Sequence, residues 1–215
     1  MRTQLRLLSA ICPLILLAGC DDETVEVEVP VEVPVEVPVT ANPEHKMLTD
    51  PFLQLPTENS VNVVWFTNFE GAAHELHYGD GSTTDVTTTA LTRMMEDASS
   101  TVTGETYDEV TYRNVYRHEA IATGLTQGER VNYHVSSTDE DGFAFNSEQF
   151  TLAPAPAEGQ AMKILLTSDL QSKKNVVANY QKVVETVGTP DAVLFAGDFV
   201  NVPDRASEWF DQAKD

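Results

Sequence analysis

Two apolar segments near the C-terminus, each followed by an aspartate, constrain the fold of this chain most strongly. Residues 163–167 lead into Asp169, and residues 191–196 lead into Asp198. Between them, valines recur at helical spacing over residues 176–187. This order predicts a strand–helix–strand crossover whose two strands pair in parallel. Because ligands bind at the carboxyl ends of such strands, we expect Asp169 and Asp198 to share one crevice that suits hard metal ions.

The first 20 residues have the composition of an export signal. Arg2 and Arg6 precede an apolar run that ends in Leu17-Ala18-Gly19-Cys20. That ending resembles the lipobox of bacterial lipoproteins, which implies cleavage before Cys20 and lipid on its thiol. An ordinary secretory signal with an incidental cysteine is the alternative. The resemblance implies a lipid-anchored protein of the cell envelope, on the periplasmic face of a bacterial membrane.

The net charge and a short repeat indicate how the chain, after cleavage of the signal, would contact that membrane. Loss of Arg2 and Arg6 with the signal changes the formal net charge from −21 to −23, which argues against nucleic acid and anionic lipid headgroups as partners. Residues 21–41 contain three copies of Val-Glu-Val-Pro, and their prolines oppose strand pairing. We therefore predict an extended tether, with membrane contact through the lipid alone.

Residues 42–153 have the pattern of a small β-sandwich. The turn Gly124-Leu-Thr-Gln-Gly128, followed by Val131 and Tyr133, resembles a corner of fibronectin type III domains, with Val131 in the usual tyrosine position. Residues 154–162 are predicted to be a stiff linker before a second domain, 163–215. The strands are predicted at 61–67, 75–78, 117–122, 131–136 and 143–152, and in the second domain at 163–167 and 192–196, with helices over 176–187 and 206–213.

The order of these segments resembles the purple acid phosphatases and, more broadly, the calcineurin-like metallophosphoesterases. The resemblance covers residues 48–215 and includes Asp50-Pro-Phe-Leu-Gln54, Val63-Val-Trp-Phe-Thr67 and the two aspartate motifs. It implies a fibronectin type III-like β-sandwich followed by the first βαβ unit of an α/β metallophosphoesterase domain. It also implies hydrolysis of a phosphomonoester at a dinuclear centre of Fe, Zn or Mn, with Asp169 on the first metal and Asp198 bridging both.

Departures from that pattern predict an incomplete site. The first motif is Asp169-Leu170-Gln171, where the wider family has Asp-x-His, and Asn201 stands where purple acid phosphatases have a tyrosine. Gln171 and Asn201 are therefore weaker candidate ligands. All five histidines precede Asp169, so the C-terminal histidine motifs of the family are absent. We expect a truncated or split phosphatase, completed by a longer product or a histidine-rich partner chain.

Other patterns favour simpler interpretations. His74 and His77, three apart on a strand, face opposite sides, which favours a plain exposed strand over a metal pair. Residues 139–142 are predicted to be a hairpin turn rather than a calcium site. Asp169 and Asp198 could each cap the following helix instead of binding metal. A non-catalytic envelope lipoprotein, with a sandwich that binds protein or glycan, is the alternative function.

Overall fold

The computed structural model of the chain describes residues 41–171 and 173–211, which are mostly β-sheet with two helices. The predicted signal, the Cys20 lipidation site and residues 21–40 of the tether lie outside the described residues. None of the helices in the described part is long and apolar enough to cross a membrane.

The strands are β1 (Phe52–Gln54), β2 (Val61–Thr67), β3 (Ala73–Tyr78), β4 (Gly81–Thr83), β5 (Val86–Ala90), β6 (Met95–Glu96), β7 (Thr111–Tyr112), β8 (Tyr116–Ala122), β9 (Val131–Thr138), β10 (Ala144–Asn146), β11 (Phe150–Leu152), β12 (Ile164–Thr167) and β13 (Ala192–Phe195), and the helices are α1 (Val176–Val187) and α2 (Ala206–Phe210).

Two antiparallel sheets enclose the main core. One has the strand order β1-β2-β8-β5, and the other has the order β10-β9-β3-β4 with β11 also on β9. Alternate residues of β2, β8 and β9 are buried, as expected for strands with one face toward a core. Trp65 is fully buried among Leu76, Val135 and Leu152, so both sheets contribute to one cluster. Burial of each such side chain contributes about 1.5–3 kcal/mol.

Tyr133 belongs to this core and makes a bond that ties two sheets together. Its hydroxyl donates to the carbonyl oxygen of Pro51 over 3.2 Å, at the start of β1. Burial, together with the charge of Asp50, raises the pKa of Tyr133 to about 12. The tyrosine that follows Gly128 therefore bonds across the sandwich to a neighbouring sheet.

The predicted strand over 143–152 is interrupted. It forms β10 and β11, and both pair with β9. At the break, Ser147 Oγ accepts a hydrogen bond from the backbone N–H of Val135, while Ser147 N–H donates to the Val135 carbonyl. A serine hydroxyl thus replaces a backbone carbonyl in the ladder, and the strand cannot continue through that position. The turn at 139–142 is a hairpin between β9 and β10, as predicted.

The strand–helix–strand crossover forms as predicted, but most of its apolar side chains are exposed or only half-buried. β12 and β13 pair in parallel, with α1 between them in the chain. α1 has no buried residue, and Leu166 and Leu194 are 68% and 55% exposed. These runs are apolar enough for a fully covered sheet, but two strands and one helix do not cover both faces.

The segment after β13 docks on the sandwich. Leu48 and Val115 of the sandwich form a second apolar cluster with Ala206 and Phe210 of α2. The backbone N–H of Met95 in β6 donates to the carbonyl oxygen of Asp204 over 2.8 Å. α2 ends at Phe210, shorter than the predicted helix over 206–213, of which residues 212–213 lie outside the described part. This contact places the loop after β13 relative to the sandwich.

Candidate functional site

The two aspartate motifs meet at the carboxyl ends of β12 and β13. The strands are in register from Ile164 opposite Ala192 to Thr167 opposite Phe195, so they end at the same level. Asp169 is the second residue after β12, and Asp198 is the third residue after β13. Both residues are exposed. The pairing of the strands therefore brings to one sheet edge two carboxylates that are 29 positions apart in the chain (198 minus 169).

Gly197 allows the Asp169 carboxylate to lie against the second loop. A Cβ at position 197 would be 3.2 Å from Oδ2 of Asp169 and 3.2 Å from Cβ of Ser168. Such distances are closer than ordinary van der Waals contact, so a side chain here would push the carboxylate away. The glycine before Asp198 is thus explained by the close approach of Asp169.

The loop after β12 is held in a strained conformation. Asp169 has a φ of 51° and Gln171 a φ of 46°, both in the left-handed region. For residues with a Cβ this region costs about 1–2 kcal/mol each, although aspartate tolerates it better than most. Strain of this kind is found at functional sites, where surrounding contacts maintain it. Here the left-handed turn places the Asp169 side chain beside Gly197.

Gln171 and Asn201, the weaker candidate ligands, tie the two loops together. The backbone N–H of Gln171 donates to the Asp198 carbonyl over 3.4 Å, and Asn201 Nδ2 donates to the Gln171 carbonyl over 3.2 Å. The helix N-cap positions belong to Asn175 and Arg205, so the alternative in which the aspartates cap the helices is wrong. A role of Gln171 and Asn201 as metal ligands stays a prediction.

Three residues that sequence reasoning did not identify connect this loop to the sandwich. Glu208 accepts hydrogen bonds from the backbone N–H groups of Asn201 (2.6 Å) and Val202 (3.1 Å). Arg205 donates to Glu208 over 2.9 Å and to Asp97 over 2.9 and 3.1 Å. Burial alone would raise the pKa of Glu208, but the backbone N–H donors and Arg205 together lower it. The only sequence signal was the Arg205–Glu208 spacing on a helix.

A cleft of about 320 Å³ opens beside Asp169, between β12 and α1. Its polar lining includes Ser168, Lys173 and Asn179. The hydroxyl oxygen of Tyr180, which also lines the cleft, is buried and has no hydrogen-bond partner among the described residues. The lining of the cleft therefore includes a lysine next to one of the two carboxylates.

The histidines of the chain do not join this site. All five lie in the sandwich region, on or beside its strands. His74, predicted to be on a plain exposed strand, is instead half-buried, because its ring packs 3.9 Å from that of His118 inside the sandwich. Among residues 41–171 and 173–211, no group of three or more His, Cys, Asp or Glu side chains could hold a metal ion. Asp169 and Asp198 are hard donors, but the described residues do not complete a dinuclear centre.

Comparison with known proteins shows a fold that this chain shares. Purple acid phosphatase PPD1 from yellow lupin (Lupinus luteus) seeds is similar in structure over 76% of this chain, with a TM-score of 0.55 and 16% sequence identity. The chain spans 32% of the length of that phosphatase. No protein-family profile matches the chain. A search of curated proteins also finds no match. The likeness therefore establishes a fold in common with part of a purple acid phosphatase.

Proposed function

We propose that this chain belongs to the purple acid phosphatase-like branch of the calcineurin-like metallophosphoesterases, with a fibronectin type III-like sandwich before the first βαβ unit of the catalytic domain. Its function is hydrolysis of phosphomonoesters at the cell envelope, where Cys20 anchors it through lipid. The observation that supports this most is the approach of Asp169 to Gly197 at the shared edge of β12 and β13.

In this proposal Asp169 and Asp198 provide carboxylates to a dinuclear metal site, and Lys173 faces the phosphoryl group from the cleft. When bound, the metal ions would supply charge stabilisation for displacement at phosphorus. The remaining ligands must come from polypeptide other than the described residues, either from a longer product or from a partner chain. Among the described residues, this proposal assigns only Asp169 and Asp198 as metal ligands. These two carboxylates do not by themselves define a catalytic step.

A test compares the native, envelope-extracted protein with the purified 215-residue chain. We expect the native material to hydrolyse p-nitrophenyl phosphate in a metal-dependent way, with activity lost on Asp198→Asn, while the 215-residue chain has no activity. Intact mass of the native material would show whether a longer product or a companion chain supplies the missing ligands. Turnover by the 215-residue chain that survives Asp198→Asn would refute the proposal.

Gly197→Ala should weaken metal binding without unfolding the sandwich. The new Cβ would displace the Asp169 carboxylate, and changes beside a ligand typically cost 10- to 100-fold in metal affinity. Mn²⁺ affinity of the purified chain, measured by electron paramagnetic resonance, should fall by about 10-fold or more. Gly81→Ala is the matched control, because a Cβ there would meet only the Tyr78 carbonyl at 3.8 Å. Equal Mn²⁺ affinity in both variants would contradict the role assigned to Asp169.

The alternative function, binding by the sandwich alone, is favoured by a separate groove. This groove of about 410 Å³ lies between the segment before β1 and β10, and it combines Phe143 and Phe145 with polar side chains such as Asn146 and Glu148. Aromatic rings beside amides and carboxylates suit glycans or peptides. If the groove is the functional site, Asn146→Ala should abolish binding to envelope components, and Asp198→Asn should leave it intact.

A further inference from the structure

We infer that the outer face of the five-stranded sheet holds a transition-metal site formed by His77 of β3 and His134 of β9. The two residues are direct partners in the antiparallel ladder between these strands. Their rings are stacked with centroids 4.4 Å apart and planes 6° from parallel. Both face outward, because the neighbouring residues Leu76 and Val135 point into the core.

The two rings differ from the other three histidines in their hydrogen bonding. His45, His74 and His118 each have a polar partner at both ring nitrogens. Within the described residues, neither ring of the His77–His134 pair makes a hydrogen bond. Apart from the 3.6 Å approach of Glu75 to Nε2 of His77, the nitrogens of this pair have no polar partner among the described residues and can bind a metal ion.

The electrostatic surroundings also favour a cation. Glu75 lies on the same face, with Oε2 3.6 Å from Nε2 of His77, and both side chains are about one-third exposed. Ser82 of β4 and Ser136 of β9 flank the pair through their strand pairing and bring no charge.

Binding of one ion by both imidazoles requires the two rings to rotate. With metal–nitrogen distances of 2.0–2.1 Å, two nitrogens in a tetrahedral site lie about 3.3 Å apart. An imidazole lone pair lies in the plane of its ring, so the lone pairs of these parallel rings do not converge, and both rings must rotate about their side-chain torsions to bind one ion at this separation. The described residues contain no group of three ready ligands, so the site has two nitrogen ligands and water completes the coordination. Imidazole and this geometry suit Cu²⁺, Ni²⁺ or Zn²⁺ rather than Mg²⁺ or Ca²⁺.

The test uses the tag-free 215-residue chain with ZnCl2, NiCl2 or MgCl2. We expect Zn²⁺ and Ni²⁺ to raise the Tm by about 4–8 °C at saturating concentration, and Mg²⁺ to have no effect. His77→Asn and His134→Asn should each abolish the rise, whereas His45→Asn should keep it. Absence of a shift in the unsubstituted chain, or a shift that both variants retain, would overturn the inference.

A second measurement decides the question even if a variant fails to fold. Substoichiometric Cu²⁺ broadens amide signals near its binding site in the NMR spectrum of the unsubstituted chain. Broadening should centre on residues 75–77 and 134–136. Broadening centred on Asp169 and Asp198 instead would show that the carboxylates, not the imidazole pair, bind the ion. This result is independent of the phosphatase proposal, since it needs no turnover.

Discussion

Acidification from pH 7 to pH 5 should lower the free energy of unfolding of this protein by roughly 2 kcal/mol, and to pH 4 by roughly 3 kcal/mol. The main cause is His118, which is fully buried in β8 between the two sheets. Burial, and secondarily the nearby His74, lower the pKa of His118 from 6.5 to about 3. In the unfolded chain the same side chain takes up a proton near its ordinary value of 6.5.

The direction of this pH dependence follows from proton uptake by His118. Between pH 6.5 and about 3 the unfolded state binds a proton at His118 that the folded state does not, so stability is complete above this window and falls as pH falls through it. His74, whose pKa is also lowered by burial, adds to the loss in the same direction. Carboxylates with a lowered pKa, such as Glu208, act in a lower window, below their ordinary value of 4.5.

The hydrogen bonds around His118 and His74 explain why both rings are neutral. Thr67 Oγ1 donates to the Phe69 carbonyl over 2.5 Å, so it must accept from Nε2–H of His118, 2.8 Å away. Nδ1 of His118 then accepts from the Thr88 hydroxyl over 3.0 Å. His74 Nε2–H donates to the Glu70 carbonyl over 2.8 Å, which leaves its Nδ1 as an acceptor. Each ring carries one proton in this network.

Two measurements check the prediction. Urea denaturation at several pH values should give a free energy of unfolding that falls between pH 7 and pH 5, with a smaller slope for His118→Gln than for the outer-face control His77→Gln. NMR titration of the unsubstituted chain should show no protonation of the His118 ring down to pH 4. If that ring protonates near pH 6, the buried network is not what limits acid stability.

Local patterns in the sequence predicted some strands well and others not at all. Both ends of β2 were predicted correctly, because most of its residues are apolar and include a tryptophan. β5, Val86–Ala90, was missed, because its three threonines give no apolar alternation, and it is defined only by its pairing with β8. Strand pairing between distant segments decides such elements.

The candidate site was likewise only partly predictable from the sequence. The positions of Asp169 and Asp198 follow from the strand–helix–strand pattern, since parallel strands end at one edge. The left-handed conformation of Gln171 and the contact of Glu208 with Asn201 could not be predicted, because they depend on how the segment after β13 docks. The pairing of His77 with His134 depends on strand register, which the spacing of the histidines in the chain does not reveal.

Glu96→Ala should release the C-terminal segment from the sandwich and cost about 3 kcal/mol. Glu96 of β6 is fully buried, and its carboxylate accepts from the backbone N–H and the hydroxyl of Ser207, both at 2.8 Å. Arg113 donates to the same carboxylate over 3.2 Å. The alanine variant would leave the buried N–H of Ser207 without its acceptor and Arg113 with only a 3.8 Å approach to Asp211.

The loss should be local, because Glu96 bridges the sandwich to α2 and takes no part in the core around Trp65. Hydrogen exchange of the variant should therefore accelerate over residues 204–211 and leave β2 and β9 protected. Ser207→Ala, which removes only the hydroxyl, should give a smaller change, and Glu109→Ala, at an exposed position two residues before β7, should give none. Unfolding of the whole chain as one unit in Glu96→Ala would show that the sandwich depends on the docked segment. Protection retained over 204–211 would show that the apolar contact of Phe210 with Leu48 and Val115 is sufficient for docking.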